Sequence, residues 1–309
     1  MPAHEDLGPP RSLKPAVWAL GFIPAAFLGG AMLAPLLWQL VHGSPAPLAF
    51  LDNHDDFHRF INRAVYVLAL LGLYPLLKAN GLLAWASIGL PRPSGYWVRL
   101  GQGLALGLGS IVLLGGLAAA FLPVSFTLSA DAEWGRHLKN ALLAMAAVSF
   151  LEELLFRGVL FGSLRRCLDW RLAAALGSLL FAAAHFLDAK PANPETITWL
   201  SGLTTLPKMA RPILEDAPTL IRFINLFLAG LILCALYQQT GNLYCSIGIH
   251  AGWILGGKTL VKLTSTNEER STVWWSHSDF LEGLLLTLLL LSFAGLCVGK
   301  FQRKRDGES

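Results

Sequence analysis

Long uncharged runs alternate with short polar stretches along the whole chain, and no other periodicity competes with this one. Eight runs stand out, at residues 16–40, 61–77, 101–122, 138–164, 172–187, 223–240, 243–261 and 280–299. A helix needs about 20 mainly apolar residues to cross the hydrocarbon of a bilayer. The runs therefore predict an all-α fold, a polytopic membrane bundle of about eight transmembrane helices. The first run, AVWALGFIPAAFLGGAMLAPLLWQL, exceeds the apolar core of a signal peptide and reads as a retained span. Residues 1–15 are polar and Pro-rich and read as a disordered tail. Residues 16–137 then hold the N-terminal helices, 138–262 the part that carries chemistry, and 263–309 the last helix with a basic tail. The longest late connection, 188–222, contains Pro191, Pro194, Pro207, Pro212 and Pro218; it reads as a lid, an interfacial helix or a passive ordered loop.

Composition sharpens this picture. Of 309 residues, 54% are hydrophobic and only 14% charged, and the mean hydropathy is +0.53, which excludes a pair of soluble lobes. The net charge of +4 comes from scattered Lys and Arg without a basic stripe interleaved with aromatics, so no nucleic-acid partner is expected. One set of alternate connections holds Arg11 and Lys14, then Lys78, Arg92 and Arg99, then Arg165, Arg166 and Arg171, then Lys300, Arg303, Lys304 and Arg305. The other set is acidic or mixed, with Asp52, Asp131, Glu195 and Glu268, and with Arg59, Lys208 and Arg211 as exceptions. The positive-inside rule then puts both termini in the cytoplasm. Short loops without organelle signals point to a bacterial inner membrane. Cys167, Cys234, Cys245 and Cys297 have neither metal spacing nor the density of a disulfide framework.

Nearly all acidic residues lie in connections, except Glu152 and Glu153 in the middle of ALLAMAAVSFLEELLFRGVLFGSL. Ionisable groups at such depth are costly and mark function. Arg157, one turn later, can pair with Glu153 and hold it ionised. A Glu–Arg staple between helices needs only one carboxylate, so the adjacent pair exceeds what a staple requires. Two further polar groups follow: His185 closes the run LGSLLFAAAH, and His250 sits inside SIGIHAGWILGG. At about 1.5 Å per residue, Glu152 and His185 both lie roughly 20 Å from the end marked by Arg165 and Arg171, whereas His250 lies only roughly 10 Å from its own helix start. A simple straight-helix picture thus leaves His250 at the wrong level.

EELLFR (Glu152 to Arg157), FAAAH (Phe181 to His185) and the His250 segment within TGNLYCSIGIHAGW, in this order on successive apolar runs, resemble the CPBP intramembrane proteases, which include the type II CAAX prenyl endopeptidases and bacterial Abi-type proteins. The resemblance spans about residues 140–260 and implies an eight-helix bundle that hydrolyses a peptide bond of a membrane-anchored peptide or protein. It implies that Glu152 activates a water molecule as general base, that Glu153 is the partner held by Arg157, and that His185 orients the water or shuttles its proton. His250 would donate a hydrogen bond to the developing oxyanion. The last family motif usually has Asn or Asp four residues after the histidine, and here that place is Ile254. Lys258 and Asn225 are candidate substitutes for the missing donor.

Three other readings remain open from the sequence. Glu152, Glu153, His185 and His250 are residue types that suit zinc or manganese, although HExxH is missing and no cofactor is expected. A catalytically degenerate relative would keep the bundle as an immunity or substrate-binding protein. A transporter would show broken helices in two corresponding halves, whereas here the polar residues cluster in one half.

Overall fold

The computed structural model describes residues 14–42, 56–92, 94–127, 133–188, 193–265, 272–276 and 279–306. The acidic residues Asp52, Asp131 and Glu268 and the cation Arg11 of the expected charge pattern lie outside them. Among the described residues the regular structure is helical, apart from one pair of two-residue strands and an isolated bridge between Thr272 and Trp275. The helices are α1 Lys14–His42, α2 Phe57–Ala79, α3 Tyr96–Phe121, α4 Trp134–Glu152, α5 Trp170–Ala184, α6 Ser201–Ala210, α7 Ala217–Thr240, α8 Tyr244–Leu263 and α9 Leu284–Asp306. A π-helix, Glu153–Phe161, continues α4 directly and ends in the turn Gly162–Leu164. Strand β1 Ser125–Phe126 pairs antiparallel with β2 Thr264–Ser265, which ties the end of α3 to the end of α8.

Every apolar run of the sequence falls on a helix, but among the described residues only α1, α2, α3 and α7 are long and apolar enough to cross a membrane. The expected count of eight spans is therefore not carried by length and composition. The reasons are visible in the residues: α4 opens with Arg136 and Lys139 and ends on Glu152, α8 carries Lys258 and Lys262, and α5 has only 15 residues. Apolar side chains still point outward in numbers no soluble fold would tolerate, among them Leu71, Val112 and Phe121 at 69%, 74% and 78% exposure. The chain is an integral membrane protein. Its cations do not gather at one end, however: Arg136, Lys139, Lys258 and Lys262 lie toward the end of the bundle opposite Arg165, Arg166 and Arg171.

Lipid offers no hydrophobic drive for helices to associate, so close approach depends on small residues. The pair α3 and α8 illustrates this, because each carries glycines four apart that face the other. A Cβ on Gly103 would stand 2.3 Å from the Cys245 carbonyl oxygen, and one on Gly107 2.3 Å from that of Ile249. Reciprocally, a Cβ on Gly248 would meet the Leu100 carbonyl oxygen at 2.2 Å and one on Gly252 the Leu108 nitrogen at 2.7 Å. His250 lies between the last two glycines, so this contact fixes its position.

The long connection before α7 is part of the packed body. Its helix α6 lies on α1, where a Cβ on Gly202 would collide with the Ala31 carbonyl oxygen at 1.8 Å. Met209 is buried there with Ala34, Phe57 and Ile61, and Asn193 accepts a hydrogen bond from the Phe57 amide at the start of α2. Two helix starts carry a side-chain cap: Asp169 accepts from the Arg171 amide before α5, and Asp216 from the Thr219 amide before α7.

Candidate active site

The turn between α7 and α8 brings the third motif to the level of the first two. Gly241 ends α7 with a left-handed φ of 66°, and Asn242 and Leu243 are buried immediately after it. The Leu243 amide donates to the Gly89 carbonyl, and the Tyr244 hydroxyl donates to that of Pro91. The segment 84–91 therefore covers this turn, and α8 begins inside the protein rather than at its surface. That start removes the depth mismatch of the straight-helix picture, and His250 reaches both glutamates.

The two adjacent carboxylates have different surroundings. Glu153 is fully buried, and its Oε1 lies 3.0 Å from Arg157 NH1 and 3.0 Å from His250 Nδ1. The Arg157 guanidinium, 1% exposed, also stacks 4.2 Å from the centre of the Phe181 ring. Glu152 keeps 26% of its side-chain surface, and its Oε2 lies 3.7 Å from Nε2 of both His185 and His250. Glu153, Arg157 and most of the π-helix after them are buried among α5, α7 and the Ile88 segment. Nothing in the apolar pattern signals this wider turn, and π-helical segments are frequent at functional sites.

Hydrogen-bond partners assign the histidine tautomers. The Phe181 carbonyl, 2.9 Å from His185 Nδ1, can only accept, so that nitrogen carries the proton. The Glu153 carboxylate likewise makes His250 Nδ1 the donor. Both Nε2 atoms thus face Glu152 Oε2, beyond direct hydrogen-bond length and at a spacing that one intervening oxygen spans.

A cavity of about 680 Å³ reaches the two histidines. Phe181, His185 and His250 line its inner part, and Leu226, Ile249 and Leu289 are among its apolar walls. Ile254 lines it as well, one helical turn beyond His250. At its outer part stand His137, Lys258 and Lys262, with Asp279 on another wall 3.8 Å from Arg222. Burial, with Lys262 and Lys258 beside it, holds the His137 imidazole below its ordinary value. Asn225 also touches the cavity, but its amide is committed: Nδ2 donates to the Leu281 and Gly283 carbonyls at 2.8 and 3.2 Å, and Oδ1 accepts from the Thr287 hydroxyl at 2.7 Å. It clamps the start of α9 to α7 and is not a free oxyanion donor.

Among the described residues no group of three or more His, Cys, Asp and Glu side chains is arranged to hold a metal ion. Glu153 already serves Arg157 and His250, which leaves Glu152 and the two histidines as the available donors.

Residues 134–255 match the family model of the type II CAAX prenyl endopeptidase Rce1-like proteins. This segment resembles that family. No curated protein and no solved structure matches the chain. The Rce1-like segment runs from the first residue of α4 into α8, and so contains all five site residues Glu152, Glu153, Arg157, His185 and His250. It excludes α1 to α3 and α9, although α3 supplies the glycine contact that seats the third motif and α9 supplies part of the cavity wall.

Proposed function

We propose that this Rce1-like protein is an intramembrane endopeptidase that hydrolyses a peptide bond of a membrane-anchored peptide or protein. The observation that carries the reading is the convergence of Glu152 Oε2 with Nε2 of His185 and His250, two histidines that line an apolar cavity. A water molecule between these groups gives one proton to Glu152 as its oxygen attacks the scissile carbonyl carbon, while His185 Nε2 accepts its other hydrogen and fixes its orientation. His250, protonated and held by Glu153, donates from Nε2 to the oxyanion. Glu152 then passes its proton to the departing amide nitrogen, which yields an amine and a carboxylic acid. Arg157 and Glu153 position His250 without touching substrate.

Ile254 in the cavity wall favours a second reading, a relative that binds such chains without cutting them. A comparison of membrane-protein termini in cells carrying the wild-type chain or Glu152→Gln separates the two. Termini that disappear with the glutamine establish proteolysis and name the substrate. Identical termini at equal protein levels establish the binding reading.

A further inference from the structure

Helix α8 starts at the end of the bundle where α2 and α7 finish and α3 and α5 begin. Six cations stand there: Lys78, Arg92, Arg99, Arg166 and Arg171 are exposed and Arg165 is half-buried. The one acid in the stretches 76–100, 161–172 and 236–246 is Asp169, the cap of α5. At the opposite end, by contrast, Arg59 and Arg136 lie 3.0 and 2.9 Å from Asp56 and Glu133. Four of the six cations surround the turn that sets the level of His250. Arg165 stacks 4.6 Å from the centre of the Tyr237 ring, a Cβ on Gly89 would stand 2.8 Å from the same ring, and Arg165 and Arg166 both act on its hydroxyl. Arg92 acts on the hydroxyl of Tyr244 and Arg99 on the thiol of Cys245, while the Tyr96 ring lies 5.0 Å from that of Tyr244. Trp85 and Trp97 are exposed on the covering segment and on the first turn of α3, and indole rings settle at the level of lipid headgroups.

We propose that this end of the bundle is a docking surface for anionic phospholipid, with Arg92 and Arg99 binding the headgroup phosphate. A guanidinium meets a phosphate with two parallel hydrogen bonds, and each cation near an anionic bilayer is worth about fivefold in binding. The bound lipid bears on the site through the cover of the turn. Arg92 directly follows Pro91, whose carbonyl accepts from the Tyr244 hydroxyl, and Gly89 just before accepts from the Leu243 amide. The same segment rests on the π-helix, where a Cβ on Gly158 would stand 2.6 Å from the Ile88 carbonyl oxygen. A headgroup that holds Arg92 thus fastens the cover to the helix of the glutamates and to the helix of His250 together. Its effect on cleavage rests on the peptidase reading; the binding of lipid does not.

The test uses the full chain in vesicles of phosphatidylcholine with and without phosphatidylglycerol. It compares the wild type, Arg92→Gln/Arg99→Gln and a control that removes the same charge from the opposite end, Arg59→Gln/Arg136→Gln. Lipid retained by the protein is read by native mass spectrometry, and hydrogen exchange is read over residues 241–247. The wild type and the control should prefer phosphatidylglycerol, and the preference should fall roughly twentyfold in Arg92→Gln/Arg99→Gln. Phosphatidylglycerol should also slow exchange at the turn in the first two proteins and not in the third. No preference in the wild type, or one that the Arg92 and Arg99 substitutions leave intact, overturns the proposal. Inorganic phosphate that slows exchange equally in pure phosphatidylcholine makes the ligand a soluble anion and overturns it too. Exchange that ignores phosphatidylglycerol while the arginines retain it overturns the coupling to His250. If no lipid mixture supports cleavage while the preference and the slowed exchange persist, the peptidase reading falls and the docking surface stands.

Discussion

The contact between α3 and α8 makes a sharp test of how the site is built, because one helix provides both the perturbation and its control. Gly107→Ala would put a Cβ 2.3 Å from the Ile249 carbonyl oxygen and 3.0 Å from the Gly252 Cα, about 1 Å short of ordinary contact with backbone that cannot rotate away. The helices must part by roughly that amount, and His250, the next residue, moves with its backbone. The 3.0 Å contact from His250 Nδ1 to Glu153 would then stretch past hydrogen-bond length. Overpacking of this kind costs roughly 1 to 3 kcal/mol of stability, and a 1 Å displacement of a catalytic group costs roughly a hundredfold in rate. Gly101 and Gly109 lie on the same helix, and a Cβ added at either would meet nothing within 4 Å. Alanine at either is expected to be neutral or to stabilise by up to about 1 kcal/mol. Thermal unfolding in detergent and cleavage of the substrate found by terminus mapping would be compared across the three variants. If Gly107→Ala matches Gly109→Ala in both assays, the close approach does not seat His250 and the reasoning is wrong.

Four further outcomes are expected. Glu153→Gln strands the buried Arg157 guanidinium and should cost about 3 to 5 kcal/mol in detergent unfolding, while Glu152→Gln should abolish cleavage and leave stability nearly unchanged; equal destabilisation would refute the division of roles. Ile254→Asn adds a donor to the cavity wall and should raise kcat by up to about a hundredfold; a large loss with lowered stability would mean that Ile254 is needed for packing. Asn225→Ala removes the partners of two carbonyls and the Thr287 hydroxyl and should cost about 1 to 3 kcal/mol, read as faster hydrogen exchange around Leu281 and Gly283. Exhaustive chelation should leave cleavage intact, and activity restored only by added zinc or manganese would sink the metal-free chemistry.

The helices and the five candidate site residues are legible in the sequence because each rests on a local signal: an apolar run, or an ionisable side chain where the run should have none. What is not legible depends on contacts between distant segments. The level of His250 is set by the Leu243 amide on the Gly89 carbonyl and by Tyr244 on Pro91, and no spacing within the third motif reports either. The glycines 103, 107, 248 and 252 form two four-residue repeats, yet only their mutual approach gives them meaning. Asn225 reads as a spare donor near a helix start, and its partners lie more than 50 residues away in sequence. The segment 188–222 is equally open to several readings until Gly202 is placed against Ala31. The apolar runs interrupted by Arg136, Lys139, Lys258 or Lys262 look continuous in the sequence, whereas a bilayer weighs each of those charges, so length and composition alone do not carry a count of eight spans.

The surroundings of the two glutamates bear on whether this cluster is a staple or, as proposed, a reactive centre. Adjacent carboxylates in one apolar environment repel, and they persist together only if their surroundings divide the labour. Here Glu153 is fully enclosed and shared by Arg157 and His250, so it joins the π-helix to α8, while Phe181 beneath the guanidinium joins both to α5. Glu152 is left with no such commitment, and its Oε2 faces two imidazole nitrogens at a distance that keeps all three available. The staple therefore holds the second histidine where the free carboxylate can use it. On the proposed mechanism the same three helices carry packing and chemistry, and a change that loosens the staple should reach the reaction through His250 before it reaches Glu152.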